Sequence, residues 1–600
     1  MLKRSFKIFF LTLLLISCKK EKTVTVPDWK ITEEFYINAL ENAILYADSI
    51  RMTGINGEKT KYYFSNLRKE FKKAEPFASY INPEVGHRVN GPALPVFKED
   101  NQKTLSPVGL QKLEESIYEG GVTADEFIRE LNITTGMLTV LQKGMKKRNL
   151  NPQRFFVATH QQLLRIIAFS ISGFDTPVSH LCIDEINVSL DGLAEVYRRS
   201  VQSMVQVNKD DLDSQFMNQI EAAKLFVSNN NDFENFDRYR FIREFMNPIT
   251  RSWVEIRKTI DIWNGSEDFP FNFDAPTFFE DDSFNLKYFT ANTNKNPTQI
   301  QIELGKKLFF EPKLSANAKM SCASCHIPEK GYADGRVFNV GNKGLELQRN
   351  TPTLLNVAFQ KNFFWDGRAA DLLDQISAVF LNEDEFNTSV HEFSLEILDD
   401  SIYKASFEKA FGSVPNNNLN TIKAISSYVS TLNNFDSKFD KNMKGEEDTF
   451  TKEEIQGFNL FMGKALCATC HFIPLTNGTV PPFYSETEKE VIGVPETAAN
   501  TAIDEDYGFY WKFNEATHKG MFKTPGIRNI NETAPYMHNG VYQTLEEVIN
   551  FYNLGGGGGL GFELPHQTLP FDKLDLSDDE QKALVAFMKT LSGSRIVDTY

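Results

Sequence analysis

Six cysteines, nine histidines and five tryptophans are few for a chain of 600 residues, so any metal or redox chemistry must be concentrated in small clusters. No second long apolar run follows the one at the N-terminus, and the sequence offers no later candidate for a membrane-spanning helix. Positive charge is in deficit. Lys and Arg number 64 against 80 Asp and Glu, and the net charge of −16 argues against a nucleic-acid partner. The run Gly555 to Gly559 lacks both the Lys-Ser/Thr ending and the spaced glycines of a phosphate-binding loop, and reads as a flexible loop.

The cysteines that are present are arranged informatively. Cys322 with Cys325 and Cys467 with Cys470 form two pairs, each followed at once by a histidine; Cys182 stands alone and reads as a buried free thiol. Cys18 belongs to a different pattern. Lys3, Arg4 and Lys7 precede a stretch from Ile8 to Ile16 that is apolar except for Thr12, the layout of an export signal. Its end, Leu15-Ile16-Ser17-Cys18, resembles the lipobox of bacterial lipoproteins. That resemblance implies that residues 1–18 are a lipoprotein signal and that Cys18 is lipidated. Residues 19–28 would then be a tether, and the mature chain would lie on the periplasmic side of a bacterial membrane, leaflet undetermined. An ordinary signal peptide ending near a cysteine is the alternative.

Length alone implies three to four domains. From residue 29 to 271 apolar residues recur at helical spacing, as in Ile183, Ile186, Leu190, Leu193 and Tyr197, so this region reads as an all-α bundle. It resembles the imelysin-like helical domains of exported bacterial proteins. The nearest match to their Gly-x-His-x-x-Glu motif is Gly109-Leu110-Gln111-Lys112-Leu113-Glu114, with glutamine in place of histidine, which leaves a scaffold or docking role. Residues 272–296 are aromatic and acidic and read as a linker that packs against something. Thr298 can cap a helix toward Phe309, Thr451 with Glu454 makes a capping box, and Ser577 opens a last helix. The same order, helix and then cysteine motif, thus occurs twice, giving units at 297–445 and 446–600. The predicted fold class is all-α: a helical bundle followed by two cytochrome c-like domains.

Cys322-Ala323-Ser324-Cys325-His326 and Cys467-Ala468-Thr469-Cys470-His471 each offer two thiols and an imidazole within five residues, the attachment pattern of c-type haem. The thiols add to the porphyrin vinyl groups and the histidine reaches the iron. A zinc site is the alternative, and it requires four protein ligands from such pairs.

Between and after these motifs stand Arg349-Asn350-Thr351-Pro352-Thr353-Leu354-Leu355-Asn356, Phe364-Trp365-Asp366-Gly367-Arg368-Ala369, Thr524-Pro525-Gly526-Ile527-Arg528-Asn529 and Thr533-Ala534-Pro535-Tyr536-Met537-His538-Asn539-Gly540. Through these segments the chain from Leu304 onward closely resembles the bacterial di-haem cytochrome c peroxidase and MauG family. The resemblance implies two covalently bound haem c groups, a peroxide site at the His326 haem and an electron-transfer site at the His471 haem. It implies further that Trp365 lies between the haems, that Glu385 is the distal acid, and that Gln375 belongs to the distal pocket. It also implies a calcium ion held by Asn350, Thr533 and Pro535, oxygen donors suited to that ion.

Two positions depart from the peroxidase pattern. Asn342 stands where many members have a histidine that closes the peroxide iron, although His391 is available elsewhere. Tyr552 stands where peroxidases place a methionine on the second iron, and MauG has tyrosine there. The expected function is reduction of hydrogen peroxide with electrons from a small cytochrome or other donor. A MauG-like oxidase that modifies a protein or small substrate through high-valent haem, and a non-catalytic electron-transfer or sensing lipoprotein, are the alternatives.

Overall fold

The computed structural model describes residues 27–94, 96–98, 103–392, 395–570 and 572–594; the export segment and Cys18 lie outside them. The described residues are mainly α-helical. Their strands form two short antiparallel pairs, Val96–Lys98 with Lys103–Leu105 and Lys489–Val491 with Met521–Lys523. Among them no helix is long and apolar enough to cross a membrane.

The N-terminal half is built from long helices, among them Trp29–Thr53, Thr60–Ile81, Ala124–Lys147, Cys182–Ser200, Gln202–Asn229 and Asn247–Ile260. Local sequence sets their ends. Thr123 and Glu126 form a reciprocal capping box that satisfies the first free N–H groups of Ala124–Lys147, and Lys146 and Lys147 sit at its negative end. Helix Cys182–Ser200 buries Ile183, Ile186, Leu190, Leu193 and Tyr197 on one face, and Cys182 is a fully buried free thiol. The buried face carries the energy, since propensity alone leaves such helices marginal in water.

The C-terminal half repeats one device. Helix Gln299–Phe309, capped by Thr298, crosses helix Leu419–Val429, and helix Lys452–Met462, capped by Thr451, crosses helix Asp578–Lys589. At both crossings a glycine meets a backbone. A Cβ on Gly305 would fall 1.8 Å from the Ala424 carbonyl oxygen, and one on Gly457 would fall 1.9 Å from that of Ala583. Neither crossing tolerates a side chain, and each first helix leads into a cysteine motif.

Two cores result. Leu304, Leu308, Phe309, Phe380, Ile425 and Tyr428 belong to one. Phe458, Phe461, Leu584 and Phe587 belong to the other, and that core runs without a break into the N-terminal helices. Tyr239 stacks on Phe450 with ring centres 5.3 Å apart, its N–H donates to Asn459 Oδ1 at 3.0 Å, and Arg243 pairs with Asp448 at 2.7 Å. The aromatic segment after residue 270 fills the crevice. Phe271, Phe278, Phe279 and Phe284 are buried, with Phe271 against His160 and Tyr484 and Phe279 against Phe439.

The glycine run differs from expectation. Gly556–Gly559 is one helical turn, with Gly556 and Gly557 buried against residues 492 and 493. A Cβ on Gly557 would lie 2.5 Å from the Gly493 carbonyl oxygen, so these glycines permit close packing of backbones and do not supply a loose loop.

Candidate haem sites

The two Cys-x-x-Cys-His segments fold alike. Each opens with a single 3-10 turn, Cys322–Ser324 or Cys467–Thr469, and in each the histidine N–H donates to the first cysteine carbonyl, at 2.9 Å for His326 and 2.8 Å for His471. The imidazoles are oriented the same way too. His326 Nδ1 lies 3.0 Å from the Tyr332 carbonyl oxygen, and His471 Nδ1 lies 3.0 Å from that of Pro525. A carbonyl only accepts, so Nδ1 carries the proton and Nε2 keeps its lone pair for a metal. Burial lowers both imidazole pKa values, that of His471 to about 4, and each is held neutral, the form that ligates iron. Burial also pushes the Cys322, Cys325 and Cys467 thiols up to about 12.

A largely apolar cavity surrounds the second motif. Cys467, Cys470 and His471 line it together with Phe461, Ile492 and Ile549, and Tyr552 reaches it from helix Leu545–Asn553. Burial, with the nearby Cys470 and Cys467 thiols adding to it, drives the Tyr552 hydroxyl pKa well upward. Two thiols and a neutral imidazole, facing largely apolar walls and the Tyr552 phenol, fit a c-type haem.

At the first motif, Glu385 is half-buried, its carboxylate accepts from Asn382 Nδ2 at 2.7 Å, and burial raises its pKa. Its charge is felt by both Cys322 and Cys325. Gln375 sits half-buried on helix Leu372–Leu381. Leu373, Ile376 and Val379 of this helix stay half-buried at the edge of the core that also holds Cys322, an apolar face that suits a porphyrin. Asn342 lies beside this turn, its N–H donating to the Asp384 carbonyl at 2.8 Å. His391 is on an exposed turn, with its N–H bonded to Ser389 Oγ.

Trp365 is half-buried at the His471 cavity. Its indole N–H donates to the Asn350 carbonyl at 2.9 Å, and its own carbonyl accepts from Lys523 N at 2.7 Å. Both Trp365 and Pro352 line the His471 cavity, and Pro352 also bonds through its backbone with His326. Asn350, Thr533 and Pro535 line that cavity as well, while the Asn350 amide donates to the Arg336 carbonyl at 2.8 Å.

Several residues around these sites carry no role in the sequence reading. Arg349 bonds Asp506 through two nitrogens, at 2.6 and 3.0 Å, and Asp366 at 2.7 Å. The His538 ring stacks on Phe522 at 3.8 Å and its Nε2 meets Asp504 at 3.1 Å. Glu490, with its pKa raised to about 7 by burial, lies 3.7 Å from Cys470 Sγ. Arg349, Asp366 and His538 fall inside motif segments, but Asp504 and Asp506 lie in a stretch without one. The alternation Glu486, Glu488, Glu490 was a visible period-two signal. In the N-terminal half, Glu114 of the imelysin-like motif is buried, accepts from Ser179 N at 2.7 Å, and has its pKa raised by burial to about 7; Gln111 bonds the Phe174 carbonyl. Among the described residues, no group of three or more His, Cys, Asp or Glu side chains is placed to hold a metal ion.

Comparison with known proteins decides the family. The family model for di-haem cytochrome c peroxidase matches residues 299–448. The cytochrome-c peroxidase IdrP2 of Pseudomonas sp. (strain SCT) is 35% identical over 331 residues, which are 50% of this chain and 83% of that protein. The chain belongs to the di-haem cytochrome c peroxidase family. As a member of that family it is a haem oxidoreductase of the peroxidase type. The methylamine utilization protein MauG of Methylorubrum extorquens is 34% identical over 300 residues, 50% of this chain and 80% of MauG. Among solved structures, a MauG-like protein associated with microbial copper homeostasis aligns over 51% of this chain and 92% of its own, at 28% identity and a TM-score of 0.45.

Proposed function

We propose that this di-haem peroxidase reduces hydrogen peroxide to water at the His326 site, with two electrons entering at the His471 site from an external donor such as a small cytochrome. Bound haem c supplies the redox-active iron at both sites, attached through Cys322 and Cys325 and through Cys467 and Cys470. The carrying observation is the pairing of an Nδ1-anchored, neutral His326 with a half-buried Glu385 beside the same motif. Glu385 takes a proton from the inner peroxide oxygen and returns it to the outer one as the oxygen–oxygen bond breaks. Trp365 bridges the two sites, and Gln375 helps to line the peroxide pocket. Asn350, Thr533 and Pro535 hold a calcium ion between them. Lipidation of Cys18 anchors the enzyme on the periplasmic side.

A MauG-like oxidase is the second reading, favoured by Tyr552 in the His471 cavity. With haem bound, a Tyr552 phenolate ligand would stabilise ferric and higher iron, where a methionine would raise the potential. One set of measurements separates the two. The denatured protein should keep haem absorbance and exceed the polypeptide mass by two haems. Glu385→Gln should lower peroxide turnover with a reduced cytochrome by about a hundredfold or more while both haems remain, the usual size of a general acid-base contribution; unchanged turnover would reject the role. An oxidase should instead react with peroxide in its all-ferric state, and Tyr552→Phe should change the second haem's spectrum and suppress that reaction.

A further inference from the structure

Arg238 is an unusual residue to find where it is. It is 0% exposed, and no ion pair joins it to a described carboxylate. Its guanidinium donates to three backbone carbonyls, of Ile171 at 2.8 Å, Phe236 at 3.0 Å and Phe233 at 2.6 Å, and lies 4.6 Å from the Phe233 ring centre. Burial brings its pKa down only to about 10, so it is a cation at neutral pH. Burying a cation is costly even where three carbonyls accept from it and the charges of Asp237 and Asp232 reach it. The charge itself therefore needs a reason.

Its location supplies one. A Cβ on Gly463 would lie 2.6 Å from the guanidinium carbon. Gly463 closes helix Lys452–Met462 and opens the turn into the second motif, where Leu466 N donates to the Gly463 carbonyl at 2.8 Å. Ala465 and Leu466 line the His471 cavity, so the cation sits against the turn that forms part of its wall. The same N-terminal segment also packs against the residue that follows His471. Ile171 lies between Phe169 and Phe174, and both rings pack edge-on against Phe472, 5.6 Å away, directly after His471.

We propose that the helical N-terminal half acts on the electron-transfer site through Arg238, a positioning residue whose buried charge favours the reduced state of the iron bound by His471. This rests on the di-haem reading. Reduction of ferric iron removes one positive charge, and a fixed cation in a low-dielectric surrounding stabilises the more negative state. A Tyr552 phenolate pulls the opposite way, so Arg238 keeps a tyrosine-bound site reducible by a donor.

The test is a redox titration of the holoprotein, following each haem by its absorbance. Arg238→Gln keeps two N–H donors and removes the charge; Arg238→Lys keeps the charge. The Gln variant should lower the potential of the His471 haem and leave the His326 haem unmoved, while the Lys variant should stay close to the parent. A purely structural role predicts lost stability in both variants and equal or no shifts, which would overturn the proposal. Should Arg238→Gln not fold, Cys182→Asp places a carboxylate near the guanidinium, which already feels the Cys182 thiol, and should lower the same potential while Cys182→Ser does not. Protein lacking haem at Cys467 and Cys470 would count against the di-haem reading; full haem content with an unmoved potential counts only against Arg238.

Discussion

His160 shows how one residue makes the fold sensitive to acid. Its ring is buried among Phe271, Phe273 and Phe278, with centroids 4.6 to 5.2 Å away. Burial lowers its pKa from 6.5 to about 3, and the nearby Arg257 charge adds to this. Between those values the unfolded chain binds a proton that the folded chain refuses, so stability falls as pH drops below about 6.5. At pH 5 the loss from this one group is about 2 kcal/mol relative to pH 8, at about 1.4 kcal/mol per pH unit. Urea midpoints measured at pH 5 and 8 should therefore differ in the parent and differ by less in His160→Leu. An equally large pH effect in that variant would place the acid sensitivity elsewhere.

Among the elements, the paired helix crossings govern whether each haem unit forms. Gly305 and Gly457 sit where a methyl group would collide with a carbonyl of the partner helix. Overpacking of this kind typically costs about 1–3 kcal/mol, and more where the obstacle is backbone. Gly305→Ala should disturb the His326 unit and Gly457→Ala the His471 unit, because the crossings belong to separate cores. Haem stoichiometry and spectra resolved for each site check this. Loss of the same haem in both variants would mean that the two units fold as one.

The whole molecule is held together by a core that ignores the boundary between its halves. Phe450, Phe472 and Tyr484 of the His471 unit, and Phe439 just ahead of it in the same core, are covered by Tyr239, Phe169, Phe271 and Phe279. At about 1.5–3 kcal/mol per large apolar side chain, uncovering four of them costs a sum comparable to the 5–15 kcal/mol that holds a typical domain folded. A chain beginning after residue 290 should therefore aggregate or fail to retain its second haem, as gel filtration and haem content would reveal. A monomeric truncated protein with two intact haems would show that the shared core is not energetically needed.

The sequence by itself determined whatever depends on neighbours along the chain. Capping at Thr298, Thr451 and Ser577, the helical period through Ile183 to Tyr197, and both Cys-x-x-Cys-His motifs are local patterns, and the structure contains the corresponding helices and turns. The segments around Trp365, Glu385 and Tyr552 were legible through their resemblance to a family. Tertiary structure alone decided which distant groups meet: Tyr332 and Pro525 anchor the two histidines, Asp504 and Asp506 serve His538 and Arg349, and Arg238 reaches Gly463 across more than 200 residues. The glycine run shows the same divide, since its composition favours a loop while buried backbone contacts with residues 492 and 493 hold it as a helical turn. Side-chain type and spacing encode local conformation and reactive potential; burial, partner and field arise only when the chain closes on itself.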